Sequence, residues 1–195
     1  MTKKADRRVQ RTQGLLREAL ISLIQEKGFE PLSVQEIIDR ANVGRATFYA
    51  HFDNKEDLLV SGFDRLRASL KERQPEALSR GSSIDERLFA FSYDMFAHVD
   101  EYRDVFRAMV GKRSGAMIQH LVHKLLVDLV RDDVKAMVSR GNANSVPTEA
   151  LVQFIAGGFF GLLMWWLDGK MRLPVEDVNT LFRRLAIPSV KAALR

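Results

Sequence analysis

Apolar side chains recur every three or four positions through most of the chain, and no stretch keeps the strict alternation of a half-buried strand. The spacing predicts a first helix from about Val9 to Lys27, with Leu15, Leu16, Ala19, Leu20, Leu23 and Ile24 in register and Gly28 as its stop. A short helix follows from Val34, turning Ile37, Ile38 and Ala41 inward, and another from Arg45 to His51 or Phe52 puts Phe48 and Phe52 on one face. A fourth helix is expected from Asn54 to about Arg73, carrying Leu59, Phe63, Leu66 and Leu70. Gln74 to Ser83 reads as a breaker-rich connector. Beyond it the pattern predicts helices at Ile84–His98, Glu101–Val110 and Ala116–Arg140, separated by 111–115 and followed by a surface loop at 141–145. Pro147 and Pro174 open the last two, the final one bearing Val178, Leu181, Phe182 and Leu185. The expected fold is all-α.

The segment Ser33 to Leu59 carries the sharpest local signals. Ser33 and Glu36 have the spacing of a capping box, and Leu32 with Ile37 that of a hydrophobic staple. Asn42 tolerates the left-handed conformation that ends a helix, Gly44 suits the next cap, and Asn54 caps the helix after that. Two short helices joined by so tight a turn form a helix-turn-helix, whose second member is too polar on one face to be buried. On Ile37, Ala41, Val43, Thr47-Phe48-Tyr49, His51-Phe52, Asn54-Lys55 and Leu58-Leu59, the segment resembles the DNA-binding domain of TetR/AcrR-family repressors. Asn42 stands where that family usually has Gly, and Gly44 where it usually has Ser or Thr. The resemblance covers roughly residues 10 to 60. It implies a DNA-binding head of residues 1–53 and a six-helix body, 54–195, that binds an effector and dimerises.

Exposure and the family pattern assign roles within the head. Arg45 is the expected base reader, because its guanidinium fork matches the two acceptors of guanine. Ala46 and Ala50 suit a thymine methyl or close approach, and Gln35 can reach a base edge or a phosphate. Ser33, Thr47, Tyr49, His51 and Lys55 are expected on phosphates. Charge supports this. The first 17 residues hold Lys3, Lys4, Arg7, Arg8, Arg11 and Arg17 against Asp6, which is the whole net charge of +5. A basic arm beside a helix-turn-helix suits phosphates better than an idle terminus does.

Composition adds exclusions. Without cysteine there are neither disulfides nor thiolate metal sites, and the polar start lacks the apolar core of a secretion signal, so a cytoplasmic protein is expected. His120 and His123 have ligand-compatible spacing, with Asp94 and Asp128 as conceivable partners, but no third ligand lies in the stretch. Neither a metal, a cofactor nor an enzyme is expected. Residues 150 to 167 form an 18-residue apolar run with only Gln153 strongly polar. A membrane span and a helix buried by its own domain and a partner both fit the length, and the Gly and Ala content with an amphipathic helix close behind favours burial. Two rival readings follow, a membrane-anchored DNA-binding sensor and a helical-bundle enzyme using the histidines.

Together these readings predict a homodimeric repressor on a palindromic operator, released by a small apolar effector that tilts the fourth helix. The resemblance implies a dimer interface on the last two helices, expected at Phe159, Leu163, Trp166, Val178 and Phe182. It also implies an effector pocket, expected among Phe63, Met95, Phe106, Met109, Met117 and Phe160.

Overall fold

A computed structural model describes residues 3–78, 85, 88–110, 115–138, 146–169 and 172–193. Among the described residues there are nine α-helices and no strand. They are α1 (Lys3–Lys27), α2 (Val34–Ala41), α3 (Arg45–Tyr49), α4 (Lys55–Leu78), α5 (Phe91–Glu101), α6 (Arg103–Val110), α7 (Gly115–Val138), α8 (Thr148–Asp168) and α9 (Val175–Ala193). The chain divides into two compact units, Met1–Arg65 with Asp104–Ile118, and Leu66–Arg103 with Gln119–Arg195. The division falls inside α4 and α7, so neither helix belongs to one unit alone.

In the first unit α1 begins at Lys3, six residues before the apolar period does, so the basic arm is a helical extension. Its apolar face is Leu16, Ala19, Leu20, Leu23 and Ile24, each at most 5% exposed, whereas Leu15 points outward at 40%. α2 packs against this face and is tied to it by two ion pairs. Arg40 grips both carboxylate oxygens of Glu26 at 2.6 and 2.8 Å and reaches the Ser22 hydroxyl at 2.6 Å. Lys27 donates to Glu36. The expected break at Gln74 does not occur, because α4 runs on through Pro75 to Leu78. A proline removes one backbone hydrogen bond from a helix without obliging the chain to leave it. The rest of that expected connector, the 111–114 segment, Ile84, and the 141–145 loop lie outside the described residues.

The second unit is organised around aromatic rings. Phe159 of α8 stacks on Phe96 at 4.6 Å and meets Phe182 edge-on at 4.6 Å, with Phe91 at 5.9 Å. Phe96 in turn meets Trp166, whose indole N–H donates to the Leu173 carbonyl at 3.0 Å. Here α9 packs against both α5 and α8. By length and composition α8 could cross a membrane. Eight of its residues, from Leu151 to Leu167, are instead buried among the helices of its own chain.

Asp85 is helical, but the helix expected from Ile84 to His98 is interrupted by a turn at Leu88–Ala90, after which α5 runs from Phe91. Phe89 is fully buried with φ 59°, a left-handed conformation that costs a bulky residue energy unless its surroundings hold it. They do. Its N–H donates to Asp133 of α7 at 2.9 Å, while Arg183 of α9 donates to the Leu88 and Phe89 carbonyls at 2.7 and 3.2 Å. Burial pushes the Asp133 carboxyl up to about 7; the Phe89 N–H and Arg183 oppose the rise and Asp132 adds to it. Since 3.8 is the ordinary value, the folded state favours the neutral acid. The stabilisation this allows is complete below about pH 4 and is lost as the pH rises through about 7. Asp133→Asn keeps an acceptor for the Phe89 N–H and is expected to flatten the stability profile across that range. An unchanged pH slope in urea titrations of the variant would remove Asp133 as its source.

Candidate nucleic-acid interface

The reading unit is built by caps. Ser33 takes extended backbone ahead of α2, its hydroxyl accepts the Glu36 N–H at 3.3 Å, and the Glu36 carboxylate accepts the Ser33 N–H at 2.9 Å. Lys27, then the Ser33 donors, hold the Glu36 carboxyl down at about 2. Ser33 is therefore occupied with the helix start, although its side chain remains exposed. α2 ends at Asn42, left-handed at φ 51° and ψ 49°, and the Val43 N–H returns to the Ile38 carbonyl at 3.0 Å. That closure turns the chain tightly into α3. Gly44 caps α3 with φ −67° and ψ 147° and no side-chain bond, a conformation open to any residue.

α3 is shorter than expected, five regular residues from Arg45 to Tyr49, although the Phe52 N–H still bonds the Phe48 carbonyl at 2.9 Å. Phe48 and Phe52 pack beneath it at 0% and 5% exposure, 5.9 Å apart between ring centres. Arg45, Ala46, Thr47, Tyr49 and Ala50 are all exposed. Such a helix is clamped by its lower face while its upper face meets solvent along its whole length. The Arg45 guanidinium lies 5.7 Å from the centre of the Tyr49 ring. Gln35 is exposed on α2 and donates to Asp39 at 2.8 Å. His51 is half-buried against Phe52.

Lys55 departs from its expected role. Its ammonium donates to the carbonyls of Phe29, Glu30 and Leu32 at 3.0, 2.9 and 2.7 Å, and sits 4.7 Å from the centre of the Phe29 ring. An ammonium has three donors, so none is left for a phosphate. Lys55 staples the start of α4 to the connector between α1 and α2.

The expected interface positions need a comparable correction. Phe159, Leu163, Trp166, Val178 and Phe182 are at most 3% exposed, because they form the core of the second unit. The outward apolar side chains of α8 and α9 are Phe154 at 66%, Trp165 at 54% and Leu185 at 62%. Of the expected pocket residues, Phe63, Phe106, Met109 and Met117 fall in the first unit and Met95 and Phe160 in the second. Met95, Phe106 and Met109 are buried and the other three half-buried. A cleft of about 440 Å³ opens at the end of α8 between Trp165, Trp166, Asp168, Gly169, Arg172 and Leu173, and none of the six borders it. Among the described residues no cluster of His, Asp or Glu has metal-binding geometry. His120 is exposed, His123 faces the Phe160 ring, and burial lowers the pKa of His98.

A capped helix, a tight left-handed turn and a clamped short helix with an outward polar face define a helix-turn-helix DNA-binding protein. Residues 16–61 match the model of the bacterial regulatory proteins of the tetR family, and residues 86–187 match that of a transcriptional regulator C-terminal region. The chain belongs to the tetR family. It is similar to the uncharacterized HTH-type transcriptional regulator YxbF of Bacillus subtilis, 26% identical over 98% of this chain and 49% of that protein. The chain thus spans about half the length of that relative. A probable acrEF/envCD operon repressor of Escherichia coli is 26% identical over 86% of this chain and 81% of its own. FadR of Bacillus subtilis, solved in complex with stearoyl-CoA, shares the fold at a TM-score of 0.70 and 18% identity, covering 90% of this chain and 97% of that one.

Proposed function

We propose that this chain is a repressor that binds a palindromic operator as a homodimer, in the cytoplasm, and leaves it when an apolar effector binds. The carrying observation is the exposed face of α3 over a fully buried Phe48. On this reading Arg45 contacts a guanine edge, Ala46 and Ala50 allow close approach, and Gln35 reaches a base or phosphate. Thr47, Tyr49, His51 and the Ser33 region fix register on the backbone. The exposed Arg7, Arg8 and Arg11 of α1 add sequence-independent attraction. Arg45→Ala is expected to cost about 1–3 kcal/mol of operator affinity and to relax one base-pair position. Binding selections that return the wild-type preference would take Arg45 out of the reader set.

A single short helix supplies little specificity, so two copies about a two-fold axis are the economical arrangement. The outward stripe of α8, with Phe154, Gly158, Gly161 and Trp165, joined by Leu185 of α9, is the proposed partner face. Small residues there let two helix backbones approach closely. Repression rather than activation is supported by the similarity to the Escherichia coli operon repressor.

For the effector, the methionines and phenylalanines of residues 54–195 suit an apolar guest. The solved relative holding stearoyl-CoA makes a long-chain acyl thioester the first class to try. α4 runs unbroken from Lys55 to Leu78, and a tilt of this helix on effector binding is the proposed route of release. In gel-shift titrations, stearoyl-CoA is expected to release the operator at least tenfold more effectively than coenzyme A alone. Equal, absent responses to acyl thioesters of all lengths would exclude that effector class.

A further inference from the structure

Among the described residues, the Arg45 guanidinium has the Tyr49 ring as its contact and makes no ion pair or hydrogen bond. An exposed arginine on so short a helix would otherwise sample many rotamers, and that freedom would be lost on docking. The Tyr49 ring is itself held. It meets Phe48 edge-on at 5.3 Å and 83°, and Phe48 is fully buried against Phe52. Rigidity therefore passes from the core through two rings to the tip of α3. Arg45 and Tyr49 are four residues apart, the separation at which side chains on a helix lie one above the other.

We infer that Tyr49 is a positioning residue for base readout, its ring holding the Arg45 guanidinium presented toward the groove before DNA arrives. The inference rests on Arg45 being a base reader. It differs from a phosphate contact, which would use the Tyr49 hydroxyl and leave the ring passive. The ring and the hydroxyl can be separated by substitution: Tyr49→Phe keeps the first and deletes the second, while Tyr49→Leu deletes both.

The test uses the full-length protein and the duplex it selects from a random library, together with that duplex altered one base pair at a time. Arg45→Ala identifies the base pair that Arg45 reads. Tyr49→Leu is expected to lose about 2–5-fold in discrimination at that base pair and none elsewhere. Tyr49→Phe is expected to retain it, whatever its loss of overall affinity. In the Arg45→Ala background, Tyr49→Leu should leave discrimination at that position unchanged. In the free protein, the Arg45 side-chain N–H resonance should show the ring-current shift of a stacked group, lost in Tyr49→Leu and kept in Tyr49→Phe. Equal losses in both backgrounds, or a Tyr49→Phe variant as poor as Tyr49→Leu in discrimination, would overturn the positioning role while leaving Arg45 a reader. An Arg45→Ala protein with undiminished discrimination everywhere would overturn both.

Discussion

Replacing Lys55 with methionine is expected to destabilise the protein by about 2–4 kcal/mol while leaving the salt dependence of DNA binding unchanged. The ammonium serves three carbonyls, those of Phe29, Glu30 and Leu32, at 2.7–3.0 Å. These belong to the connector between α1 and α2, where the Gly28 N–H returns to the Ile24 carbonyl at 2.8 Å and the Leu32 N–H to the Phe29 carbonyl at 3.3 Å. Methionine fills the space of the aliphatic stem and cannot donate, so three carbonyls lose this charged donor at once. The connector sets where α2 begins, so its loosening should also lower operator affinity at every sequence alike. A phosphate contact behaves otherwise. Its loss flattens the slope of log affinity against log salt by about one unit and leaves folding untouched. Urea midpoints and a salt titration on the same preparation separate the two. A variant as stable as the parent with a flattened slope would return Lys55 to the DNA surface.

The contrast between Lys55 and its neighbours shows what the sequence could disclose. The capping box of Ser33 and Glu36, the left-handed Asn42 and the buried pair Phe48 and Phe52 depend on residues at most five apart, and all were readable. Lys55 finds its carbonyls 23 to 26 residues upstream, and nothing in the spacing points there. The bend at Phe89 was hidden for the same reason, since Asp133 and Arg183 hold it from 44 and 94 or more residues away. A bulky residue at φ 59° carries no local signature of the kind glycine or asparagine gives. α8 failed differently. Its window is apolar on every side, with mean hydropathy 1.7, so periodicity identifies a helix without telling its inward face from its outward one. Phe159, Leu163 and Trp166, expected at a partner face, consequently fill the core instead.

That inversion predicts opposite outcomes for two phenylalanines five residues apart on one helix. Phe159→Ala is expected to cost about 3–5 kcal/mol, because it empties the centre of a ring cluster and the three surrounding phenylalanines cannot all close in. Phe91, Phe96 and Phe182 lie 4.6–5.9 Å from it, and it is 0% exposed. Phe154→Ser, at a position 66% exposed, should leave the fold of the protomer intact. If the outward stripe of α8 meets a second copy, the same change removes a large apolar side chain from that contact and should raise the dimer dissociation constant by tenfold or more. The two effects must be read apart, since dimerisation itself adds concentration-dependent stability. Circular dichroism melts at several protomer concentrations, alongside sedimentation equilibrium, do so. Phe159→Ala should melt early at every concentration, whereas Phe154→Ser should lose only the concentration-dependent part. A Phe154→Ser protein that dimerises as the parent does would move the partner face off α8, and a Phe159→Ala protein that folds normally but stays monomeric would restore the arrangement that periodicity suggested.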